Sequence, residues 1–241
     1  MRVLVWDAPT RLFHWLYALA FALAWLTAES DLYRDLHVFA GYLFLGLLGF
    51  RLLWGLAGSR YARFGAFRFG PGAGLRYLRD ALAHTARRYL GHNPAGAWAV
   101  YGLLALGAAV SLSGMLVLGG EERHGPFKGI ATFAVSGLLK ESHEVLATLM
   151  LWLVFGHLAG VFAESRLHRE NLTRAMFTGR KEGAVGDGIA SSHGWVGALL
   201  FATVAGFGAW YFHGYLTQTP QRPHRPFVGR VLPDNPTWRS E

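Results

Sequence analysis

The chain has 241 residues, of which 52% are hydrophobic and only 16% charged, and its formal net charge is +8. Soluble domains carry nearer 25% charged residues, so the composition points to an integral membrane protein. There is no cysteine, which excludes disulfides, iron–sulfur clusters, thiolate zinc sites and haem attachment through Cys-x-x-Cys-His, and leaves 11 histidines as the strong metal ligands.

Five apolar segments follow one another along the chain, at about 10–28, 36–57, 98–118, 141–163 and 194–213. Each is close to the ~20 residues a helix needs to cross the hydrocarbon core. The first follows Arg2 and contains Ala-Leu-Ala triplets that resemble a leader, but Arg11 and His14 interrupt it, so it is expected to stay in place. The second begins with His37 and contains Gly41, Gly46, Gly49, Arg51 and Gly55. Between the second and third lies GLRYLRDALAHTARRYL (74–90), with Leu75, Leu78, Leu82 and Ala86 on one side. It is expected to be a basic amphipathic helix, lying along the inner leaflet or packed on the end of the helices. In LGHNPAG (90–96), Asn93-Pro94 suits a loop-to-helix turn that does not account for His92. The tail has five prolines in 220–236 and is expected to be extended. No strand-like alternation competes with the helical pattern. The expected fold is an all-α integral membrane protein, with four transmembrane helices in a bundle and a fifth at the C-terminal end.

Loop charges set the orientation. Segment 58–97 carries seven arginines against one acid, Asp80, and segment 164–192 adds Arg166, Arg169, Arg174, Arg180 and Lys181. Segments 29–35 and 119–140 are poorer in positive charge. The positive-inside rule then places the N-terminus, 58–97 and 164–192 in the cytoplasm and the tail outside. The charge reads as membrane orientation, and nucleic acid is not an expected partner.

Histidine is costly to bury in lipid. In the fourth segment His143 and His157 are fourteen residues apart, about 21 Å of rise and nearly four whole turns, so they share a face. His37 starts the second segment at the outer side, and His14 lies near the inner start of the first. Depth therefore pairs His37 with His143 and His14 with His157. No acid or thiolate stands at either level to complete a four-ligand zinc site. A haem iron needs two axial ligands only, and imidazole on both faces favours electron transfer over oxygen activation. Gly41, one turn from His37, lets a flat ring approach the backbone. Arg51, fourteen residues after His37 and so on nearly the same face, is positioned for an inner haem propionate. His84, His124, His168 and His224 lie in charged or loop segments and are read as ordinary surface residues. His193 and His213 bracket the fifth segment and are read as interfacial.

VWDAPTRLFHW (5–15), RYLGHNPAG (88–96) and the stretch from Glu141 to Glu182 resemble the prokaryotic cytochrome b561 family, which includes the cytochrome b subunits of nickel–iron hydrogenases. The resemblance covers roughly residues 3–182. It implies a four-helix bundle holding two b haems, with His14, His37, His143 and His157 as ligands. It also implies electron exchange between membrane quinone and a partner such as a periplasmic c-type cytochrome, and so an electron-transfer subunit in a bacterial inner membrane. The alternative it leaves open is the membrane anchor of a hydrogenase-like oxidoreductase complex. Arg11 falls within the matching motif and is expected to meet a propionate. Glu144 is expected either to serve protons or quinone, or to favour a helix N-terminus. The expected organisation is a dihaem domain over 1–182, a linker and further helix over 183–213, and a tail over 214–241. The added helix departs from the family's four-helix core.

Overall fold

The computed structural model describes residues 1–70, 72–121, 125–128 and 133–218. The proline-rich stretch 220–236 lies outside them. The chain divides into two compact units, Met1–Thr203 and Val204–Glu241.

Seven α-helices are present among the described residues: α1 (Ala8–Thr27), α2 (Arg34–Ala57), α3 (Ala73–Leu82), α4 (Pro94–Glu121), α5 (Phe133–Leu167), α6 (Leu172–Thr178) and α7 (Gly194–Gln218). Four stretches among the described residues are long and apolar enough to cross a membrane: Asp31–Ala57, Pro94–Gly120, Val135–Leu167 and Gly194–Gly214. The protein is thus a multi-pass helical membrane protein in contact with the bilayer. α1 does not reach that hydropathy, because Arg11, His14 and Thr10 lie in its first two turns.

Helix starts follow local chemistry. Asp7 caps α1 by accepting from the Thr10 amide at 2.8 Å, with Pro9 in the first turn. Asn93 caps α4 in the same way through the Gly96 amide at 2.7 Å, with Pro94 opening the helix. Each side chain satisfies an amide that the helix cannot. α5 begins at Phe133, two turns before the expected start at Glu141. Its 35 residues span about 52 Å, well beyond a hydrocarbon core of about 30 Å, so charged residues at its ends need not enter lipid. Glu144 consequently lies three turns inside α5 and has no N-terminal dipole to favour.

Two expectations are corrected. The amphipathic helix of 74–90 ends at Leu82, where His84 turns into a left-handed conformation, φ 58°. α3 packs on α4 through buried Gly74 and Tyr77, while Leu75, Leu78 and Leu82 remain exposed. The packing on α4 bears out the second reading of this segment, a helix packed on the end of the others. The fold is also not wholly α. Strands β1 (Arg2–Leu4) and β2 (Arg180–Glu182) pair antiparallel, with Val3 opposite Lys181. Three residues are too few for an alternation to show.

α1 packs along α2, α2 crosses α4, and α5 packs along α4. α5 stands further from α1 and α2 than from α4. The N-terminal strand, α6 and residues 179–189 form a collar at one end. Val5 and Trp6 amides donate to the Gly179 carbonyl at 2.7 and 3.0 Å, and the Ile189 amide to Leu4 at 2.8 Å. Gly179 ends α6 at φ 76°, a conformation that favours glycine.

Candidate functional site

The histidines meet across the gap beside α5. His14 of α1 and His157 of α5 face each other with ring centroids 6.4 Å apart and planes at 54°. His37 of α2 and His143 of α5 have centroids 6.2 Å apart and planes at 83°. A metal–imidazole bond is about 2 Å and the ring centre lies about 1 Å behind its nitrogen, so two imidazoles on opposite sides of one ion have centroids roughly 6 Å apart. Both pairs have that spacing. Among the described residues no group of three or more His, Cys, Asp or Glu side chains is placed to hold a metal. The pairs suit an ion whose other ligands come from elsewhere, as in a porphyrin.

The His37–His143 pair is held from behind. His37 Nδ1 lies 2.8 Å from the Ala24 carbonyl. His143 Nδ1 lies 3.0 Å from the Val110 carbonyl and 3.1 Å from Ser113 Oγ. A carbonyl can only accept, so each Nδ1 carries the proton and Nε2 carries the lone pair. This is the arrangement of a metal-bound histidine, in which the far nitrogen's bond sets tautomer and ring direction. His14 Nδ1 is buried without a hydrogen-bond partner.

Space and charge fit a large flat anionic group. A Cβ added at Gly41, one turn after His37, would meet nothing within 4 Å, so α2 is open beside this pair. Gly114 of α4 has the opposite role: a Cβ there would stand 2.9 Å from His143 Cε1. Arg51 is 3% exposed, lies over the Phe64 ring at 4.7 Å, and leaves Nη1 buried without a partner. Asp7 is its nearby carboxylate, but that side chain accepts from Thr10 and from Trp54 Nε1 at 3.0 Å. Arg11 is tied elsewhere: its Nη1 donates to the Phe177 carbonyl at the end of α6, and its Nε is buried without a partner.

Beside the His14–His157 pair, His92 packs between Trp6 and Phe67, with centroids 4.8 and 4.4 Å away. Its Nδ1 is buried without a partner. Desolvation, reinforced by the nearby Arg51 and Lys181 charges, pulls its pKa down to about 3. A cavity of about 250 Å³ lies against it, walled by Tyr61, Phe67, Phe69 and Tyr89.

Sequence reading missed Ser113, the Ala24 and Val110 carbonyls, and Gly114. The signal available was Ser-Leu-Ser-Gly (111–114) within an otherwise apolar helix. Backbone carbonyls leave no sequence signal.

Apolar membrane helices with imidazoles facing one another in pairs define the class: a multi-pass membrane protein arranged around cross-helix histidines. A family model described as prokaryotic cytochrome b561 matches residues 5–179, and the chain belongs to that family. It is therefore a membrane b-type cytochrome of electron transfer, and its family binds haem b. No curated protein and no solved structure gives a match.

Proposed function

We propose that this chain is a dihaem cytochrome that carries single electrons across the bilayer between membrane quinone and a periplasmic redox partner such as a c-type cytochrome. The observation that carries this reading is the pair of facing imidazoles at each of two levels of α5. A haem b held at each level supplies a reversible one-electron iron couple. His37 and His143 bind at the outer level, and His14 and His157 at the inner. The Nδ1 bonds to Ala24 and Val110 orient the outer rings. Arg51 Nη1 neutralises an inner propionate, and the Arg11 guanidinium, held by the Phe177 carbonyl, adds positive charge at the same end. The apolar residues between His143 and His157 exclude water from the interval.

In this reading α1 crosses the membrane with α2, α4 and α5, its polar first turns facing protein and haem instead of lipid. α7 is a fifth span, the N-terminus is cytoplasmic, and the organisation is 1–182, 183–213 and 214–241. The aromatic cavity against His92 supports a quinone ring at the inner end. It is smaller than the ~300 Å³ at which drug-sized sites begin, a volume suited to one small ring.

The test is to measure quinol-dependent reduction of the purified, haem-loaded protein. Fast reduction in wild type, lost in His157→Ala, is expected. Quinol that leaves wild-type haem oxidised would exclude quinone as the donor.

A further inference from the structure

A groove at the α5–α6 junction belongs to none of the chemistry above. Its volume is about 410 Å³. Leu158, Val161 and Phe162 form one half, on the last membrane-buried turns of α5. Arg166, in the last turn of the span, and Arg169 and Thr173, just past its end, form the other half.

The charge in this groove is not balanced from within. Glu170 also lines it, but its carboxylate pairs with Arg88 at 3.0 Å and Lys181 at 3.3 Å. Asn171 is engaged in capping α6 through the Arg174 amide at 2.7 Å. Ser165 donates to the Val161 carbonyl at 2.7 Å. Arg166 lies over the Phe162 ring at 5.0 Å, across the boundary between the two halves. Arg169 ends the α5 turn at φ 51°. Glycine would occupy that conformation at lower cost, so the turn does not explain the arginine.

We infer that this groove binds one anionic phospholipid, its phosphate on Arg166 and Arg169 and an acyl chain along Leu158, Val161 and Phe162. The charge complementarity selects a phosphate, and the apolar half, continuous with the membrane face of α5, selects a diacyl lipid over a free ion. Each arginine near an anionic headgroup is worth about fivefold in affinity, so the two together give a preference of roughly twenty-five-fold over a zwitterionic lipid.

The full chain is placed in vesicles of phosphatidylcholine and phosphatidylglycerol in equal parts, extracted into mild detergent, and weighed by native mass spectrometry. One phosphatidylglycerol per chain is expected, retained in roughly twenty-five-fold preference. The paired substitution Arg166→Gln and Arg169→Gln brings the two lipids close to parity while the haem spectrum is unchanged. Phe162→Ser weakens retention of both lipids without changing their ratio. Equal retention by wild type overturns the inference, and that comparison needs no variant to fold. So does a preference that survives the double substitution, or displacement of the lipid by millimolar inorganic phosphate.

Discussion

Each of the four histidines has a distinct neighbourhood, and their substitutions separate the two levels. Replacing His37 or His143 with alanine is expected to leave one haem per chain, as is replacing His14 or His157, with a pyridine haemochrome assay giving the count. Gly114 and Ser113 probe the support behind His143. A Cβ at position 114 would press on the ring from 2.9 Å, so Gly114→Ala is expected to cost about 10- to 100-fold in retention of the outer haem. Ser113→Ala leaves the Val110 carbonyl bond intact and is expected to shift the outer haem's midpoint potential while both haems stay. A titration of the two variants against free haem and a redox titration distinguish these outcomes. His92 predicts a pH effect. Its folded pKa, about 3, lies below the unfolded value of 6.5. Between those values the unfolded chain binds the extra proton, so stability falls as pH drops below 6.5. The loss is about 1.4 kcal/mol per pH unit. His92→Gln is expected to flatten that slope by the same amount, seen in thermal melting between pH 6.5 and about 4. His143 and His157 were visible in the sequence because fourteen residues bring a helix back to nearly the same angle, and His14 and His37 because they stand at matching depths on other apolar segments.

At the scale of elements, the collar shows what pattern reading cannot reach. β1 and β2 are three residues each and about three quarters of the chain apart. What joins them is tertiary: Val3 packs opposite Lys181, which is 5% exposed. Burial lowers the Lys181 pKa, against the pull of Glu170. Folding thus suppresses proton binding there, so this lysine's cost is present at neutral pH and is relieved as pH rises toward 10.5. Glu170→Gln removes the offsetting carboxylate and leaves the ammonium buried. A loss of about 2 kcal/mol is expected, discounted for the partial exposure of Glu170, and Lys181→Met is expected to restore most of it. The start of α4 fared better in the sequence, since Asn93-Pro94 uses local rules that need no partner. The end of 74–90 did not, because the apolar spacing continues past the turn at His84.

For the whole molecule, the apolar pattern disclosed the long helices, α1 among them, although α1 falls short of the hydropathy of the four candidate spans. Its function in the assembly rests on what its polar first turns face. A cytochrome working alone with a soluble partner is expected to purify with haem and no metalloenzyme. Stoichiometric co-purification of an oxidoreductase subunit would instead favour the membrane-anchor reading of the family. The central claim is that the two facing imidazole pairs each hold a haem. A reduced-minus-oxidised visible spectrum, with haem b quantified per chain of purified protein, tests it most directly. Two b haems per chain, both retained in quinol-free protein, is the predicted result. One haem per chain, or a colourless protein, would contradict it.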